Sequence, residues 1–97
     1  MVKDILKELC ALPGVSGNEG AVRDYIAARV RPYAKEMDVD AMGNLLVFAE
    51  GKRRPREKTM LAAHMDEVGI IITGITEEGY LKFDFAGGVD RRVVIAK

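Results

Sequence analysis

At 97 residues the chain has room for at most one small domain with a modest core. Lys plus Arg and Asp plus Glu number 15 each, so the net charge is zero and the chain carries no basic footprint for nucleic acid or an anionic membrane. One cysteine, Cys10, excludes an internal disulfide, and no apolar run approaches the roughly 20 residues that span a bilayer.

The opening "MVKDILKEL" mixes acids with its apolar residues, unlike a signal peptide, so the reading is a soluble cytoplasmic protein. Val2, Ile5, Leu6, Leu9 and Leu12 recur at helical spacing and predict a first helix, broken at Pro13 and Gly14. Ser16 and Glu19 have the spacing of a capping box, which predicts a second helix from about Gly17 with Val22, Ile26 and Val30 on its buried face. Pro32 ends that helix.

Beyond Pro32 the pattern becomes strand-like. "EMDVD" and "NLLVFAE" flank the turn "AMG". "GKRRPREK" is a polar connector, and its basic run at 52–56 reads as a solvated loop rather than a targeting signal. "TMLAAH" is a short continuous apolar run, the pattern of an interior strand covered on both faces. "VGIIITGIT", "EEG" and "YLKFDF" predict a hairpin with Gly79 in its turn. "AGGVDRR" is a further turn, with Gly87 and Gly88 allowing it to be tight, and "VVIAK" begins a strand. So short a final strand reads as a cut at Lys97 within a larger protein. Cys10, Met60 and Met65 read as core residues. The class is α/β: two N-terminal helices followed by strands of a mixed sheet.

The chemistry concentrates in "LAAHMDEVGI", which holds His64, the chain's one histidine. In an extended segment residues two apart share a face, so His64 and Asp66 project together while Met65 and Glu67 point away. A metal-binding imidazole must be fixed in one tautomer, and a carboxylate accepting its other ring N–H does this. One histidine is not a metal site, because a catalytic metal takes about three protein ligands. By residue pattern alone, His64 and Asp66 are half of one. A glycosidase reading fares worse: it needs two carboxyls about 5–9.5 Å apart across the sugar. Asp66 and Glu67, being adjacent, face opposite sides, and although Asp38 and Asp40 share a face, the chain has no tryptophan to form a sugar platform.

"LAAHMDEVGIIITGITEEGYLKFDFAGGVDRRVV" resembles the tetrahedral, two-metal aminopeptidases, the group of deblocking and glutamyl aminopeptidases sometimes labelled endoglucanases. "LKELCALPGVSGNEGAVRDYI" is similar to the family's opening, and "VDAMGNLLV" to its first hairpin. The combination of "PGVSGNE", D-x-x-GN and "AHMDEVG" in this order makes the resemblance specific. It covers essentially the whole chain but only the first quarter or third of a family member. The resemblance implies that His64 is the first metal ligand and Asp66 the catalytic-site acid that orients it. It also implies two divalent ions, zinc or cobalt, a peptide substrate hydrolysed at its N-terminus, and dimers assembling into a twelve-subunit particle. Residues 1–67 would then be an incomplete part of a zinc-peptidase-like catalytic domain, and residues 68–97 the start of an inserted β domain. The remaining ligands and the general base would lie outside this sequence, leaving the 97-residue chain inactive by itself. The alternative is a non-catalytic remnant or small interaction module, which would associate through its sheet edges regardless of metal.

Overall fold

A computed structural model describes residues 1–53 and 56–95. Arg54 and Pro55 of the basic run, and Ala96 and Lys97 of the last expected strand, lie outside the described residues.

Helix α1 spans Val2–Cys10 and α2 spans Gly20–Val30. A single 3-10 turn, Arg31–Tyr33, follows α2 and carries Pro32, where the proline ring ends the α-helical ladder. The two helices are tied at their surface by Glu8, whose carboxylate accepts from the Tyr25 hydroxyl and the Arg29 guanidinium. The capping box does not form. The Glu19 side chain instead accepts from the Gly17 N–H at 2.7 Å, and α2 begins three residues later than expected, at Gly20. Gly17 has φ +89°, and the Asn18 N–H closes a turn on the Val15 carbonyl, so the chain is still turning where the helix was predicted to start.

Strands β1 (Glu36–Val39) and β2 (Leu45–Phe48) pair antiparallel, with Glu36 opposite Phe48 and Val39 opposite Leu45. Strands β3 (Gly69–Ile75) and β4 (Leu81–Ala86) form the second hairpin, in register from Gly69 opposite Ala86 to Ile75 opposite Leu81, with an irregularity between Ile72 and Gly74. Gly79 at φ +88° makes the β3–β4 turn as predicted, and Gly87 at φ +91° turns the chain out of β4.

Several expectations of the sequence fail here. The sheet is not mixed: the described strands form two separate two-stranded antiparallel sheets. "TMLAAH" is extended but belongs to no sheet, and Met60 and Leu61 are 86% and 93% exposed, because no described strand lies beside it. Val93 closes a 3-10 turn, Arg91–Val93, rather than opening a strand; the Asp90 side chain caps that turn by accepting the Arg92 N–H. Cys10 is exposed as well, since the α1 face it borders has little laid over it.

Only Val22 and Ala86 among the described hydrophobic residues are buried. The radius of gyration is 18.3 Å, against about 13 Å for a compact domain of this length. The β3–β4 hairpin leaves apolar side chains open on both faces, with Ile70 and Ile72 on one and Ile71 on the other.

What joins the helical part to the second hairpin is a close backbone approach. Glu67 donates its N–H to the Gly14 carbonyl at 2.8 Å, and Val15 and Glu67 form an isolated parallel bridge. Glycine is needed on both sides. A Cβ at Gly14 would stand 2.9 Å from Val22 Cγ2, and one at Gly69 would stand 2.6 Å from Val15 Cγ2. Gly69→Ala should therefore destabilise the protein by about 1–3 kcal/mol, the usual cost of overpacking a stiff neighbour. Gly88→Ala, with nothing within 4 Å of the added carbon, should stay within about 0.5 kcal/mol of wild type. Urea denaturation of both variants checks this, and equal midpoints would show that the Val15–Gly69 contact gives way freely.

Candidate metal centre

The Val15–Glu67 bridge fixes the chain just after "AHMDE", so residues 64–66 are presented from a held backbone rather than a loose loop. His64 and Asp66 project together, as the two-residue spacing requires. The His64 Nδ1 lies 3.1 Å from Asp66 Oδ1 and 3.0 Å from the Asp66 backbone carbonyl. A carbonyl oxygen can only accept a hydrogen bond, so Nδ1 must carry the proton. In the neutral imidazole that assignment leaves Nε2 as the lone-pair nitrogen. The His64 side chain is 86% exposed and Asp66 40%, so Nε2 is open to an incoming ligand.

These residues line an open hollow of about 270 Å³. One wall is the segment Ala63–Asp66, and the other is the β1–β2 turn at Met42, Gly43 and Asn44, with Glu19 beside them. The turn wall is rigidly clasped. Asp40 Oδ1 accepts from the backbone N–H groups of Met42 and Asn44, both at 2.9 Å, and Oδ2 accepts from Asn44 Nδ2 at 2.8 Å. The Asn44 side-chain amide, followed by these backbone N–H groups, holds the Asp40 carboxyl below its ordinary range. Gly43, at φ +87°, completes the turn and donates its N–H to the Asp40 carbonyl.

Glu19 and Asn44 were read from sequence as a cap and the start of a strand. Their signal was present in "PGVSGNE" and D-x-x-GN, but spacing along the chain does not reveal that both segments border His64. The second acceptor on Nδ1, a backbone carbonyl, has no sequence signature at all. Among the described residues no three His, Cys, Asp or Glu side chains converge as a metal-binding group. The geometry therefore fits a metal centre in part: His64 supplies one nitrogen donor, Nε2, on a ring oriented through Nδ1. Cys10 and Glu67 border a second, more apolar groove of about 180 Å³ against the helices, which His64 and Met65 also line.

The family model described as M42 glutamyl aminopeptidase matches residues 43–97. A putative aminopeptidase of Acetivibrio thermocellus is 42% identical over 88 residues, which are 91% of this chain and 26% of that protein. Among solved structures, a TET aminopeptidase from the marine sediment archaeon Thaumarchaeota archaeon SCGC AB-539-E09 superimposes with a TM-score of 0.83 at 38% identity, covering 94% of this chain and 25% of that one. A Thermotoga maritima structure named as an endoglucanase superimposes with a TM-score of 0.82 at 41% identity, covering 91% of this chain and 28% of that one. The chain thus spans about a quarter of the length of the relatives it matches. With more than half of its residues matched by the family model, the chain belongs to the M42 glutamyl aminopeptidase family.

Proposed function

We propose that this chain is the N-terminal segment of a metal-dependent aminopeptidase, in which His64 is a metal ligand through Nε2 and Asp66 holds its ring. The observation that carries the reading is the pair of acceptors on Nδ1, which holds a proton there and leaves Nε2, exposed, as the ring atom available to a ligand. Residues 1–67 belong to the catalytic domain, and residues 68–97, including the β3–β4 hairpin, begin an inserted β domain through which subunits associate into a larger homo-oligomer. The remaining ligands and the general base come from the rest of a protein of the relatives' length, so the 97-residue chain is inactive by itself.

Two divalent ions, zinc or cobalt, would supply water activation and polarisation of the scissile carbonyl. What this chain contributes is a fixed donor atom. The Asp66 carboxylate and carbonyl keep the proton on Nδ1, orient the ring and raise its basicity as a ligand. The Val15–Glu67 bridge sets the backbone from which both side chains project.

The test is turnover of aminoacyl-p-nitroanilides by the complete enzyme before and after chelation. Hydrolysis that is lost with chelator and restored by zinc or cobalt is expected, and the 97-residue chain should give none. Chelator-resistant hydrolysis, or cleavage of a β-glucan in place of the peptide analogue, would overturn the reading.

A further inference from the structure

The segment that carries His64 and Asp66 is held from one side. Residues 59–66 belong to no sheet. Among the described residues, the one backbone hydrogen bond made by residues 59–67 runs from the Glu67 N–H to the Gly14 carbonyl. A chain can swivel about one hydrogen bond, so the direction in which residues 64–66 project needs a second fixed point.

The Val15 side chain is that point. A Cβ built on Gly69 would lie 2.6 Å from Val15 Cγ2 and 3.1 Å from Cγ1, so the Val15 isopropyl group fills the place of a side chain at position 69. Gly69 opens β3 two residues beyond Glu67, and the hydrogen bond and the Val15 contact therefore grip the chain at two successive points. Val15 is a firm support. Its branched Cβ restricts χ1. The residue before it, Gly14, is buried against Val22 of α2, itself one of the two buried hydrophobic residues among those described. Beyond the contact, the chain is committed to the β3–β4 pairing from Gly69 opposite Ala86.

We propose that Val15 is a positioning residue of the metal centre: its isopropyl group, seated on Gly69, sets the direction from which His64 Nε2 meets a metal ion. This rests on the reading of His64 as a ligand, and it adds a residue whose side chain has no donor atom of its own.

The experiment is the zinc affinity of the complete enzyme, measured by competition with a chromophoric chelator, for wild type, His64→Ala, Val15→Ala, Gly69→Ala and the variant carrying both of the last two. Val15→Ala removes the support and should weaken the His64-dependent zinc site roughly tenfold, the lower end of the range for residues that orient a ligand. Gly69→Ala forces the same contact apart and should weaken it by a similar factor. Gly69 is not at positive φ, so alanine suits its backbone and the clash alone is tested. The double variant places a methyl at 69 in the space vacated at 15, nearly conserving volume, and should bind zinc within about threefold of wild type. This recovery separates positioning from general destabilisation, because the effects of two independent changes would add. Should a single variant fail to fold, the double variant decides by the same threefold criterion. Zinc affinity unchanged in Val15→Ala, or a double variant weaker than either single one, would overturn the proposal. Unchanged zinc affinity in His64→Ala would instead remove the metal-ligand reading itself, whereas a loss in His64→Ala with none in Val15→Ala removes this inference alone.

Discussion

His64→Ala in the complete enzyme should lower turnover by well over 100-fold and reduce bound divalent metal, while thermal stability stays close to wild type. The size follows from rank in the site. Removing a partner that only orients a ligand typically costs 10–100-fold in metal affinity or activity, and removing the ligand itself must cost more. Stability should hold because the His64 side chain is 86% exposed, and exposed positions usually change stability by no more than about 0.5 kcal/mol. Both readouts are needed. Metal analysis by mass spectrometry together with the melting temperature separates a lost ligand from a lost fold. If turnover and metal content survive the substitution, His64 is not a ligand.

Asp66 has a smaller expected effect, because it is one of two acceptors. With the carboxylate as the sole acceptor, Asp66→Ala would free the imidazole to change tautomer. Here the backbone carbonyl of residue 66 remains 3.0 Å from Nδ1, and no side-chain substitution removes it. Asp66→Ala should therefore lower kcat/KM by about 10–100-fold through lost basicity and looser orientation, and leave the proton on Nδ1. Asp66→Asn should lose less, since its amide oxygen can take over the bond. Nitrogen-15 chemical shifts of the imidazole report the tautomer directly, and kinetics give the rest. A shift of the proton to Nε2 in Asp66→Ala would show that the carbonyl contact is too weak to matter. A loss as deep as that of His64→Ala would give the carboxylate a role beyond orientation.

Local patterns carried most of the secondary structure. The helical stripe from Val2 to Leu9, the stop at Pro32 and the turns at Gly43 and Gly79 all follow from nearest-neighbour rules, and all are observed. The His64–Asp66 contact was equally legible, because a two-residue spacing in an extended chain is itself a geometric statement. What failed needed information from elsewhere in the chain. "TMLAAH" has the composition of a covered strand, but composition does not supply neighbours, and no described strand pairs with it. Ser16 and Glu19 match a cap in spacing, yet Gly17 at positive φ diverts the Glu19 carboxylate to its own N–H. The hollow was illegible for the same reason. Glu19, Asn44 and His64 sit on three segments brought together by the fold, and only family resemblance hinted that those segments belong together.

The two hairpins close on sequence neighbours, whereas the Val15–Glu67 bridge joins residues 52 apart (67 − 15). Closing so long a loop carries an entropy cost that neither hairpin bears, so this bridge forms late and opens early. The segment bearing His64 can thus detach while both hairpins stay intact, a sub-global opening confined to the hydrogen bond from Glu67 to Gly14. Amide exchange would register this as faster loss of protection at Glu67 than at the paired strand positions. Preparation of the donor nitrogen is then a property of the closed state alone, and metal bound there would slow exchange at Glu67 by holding that state.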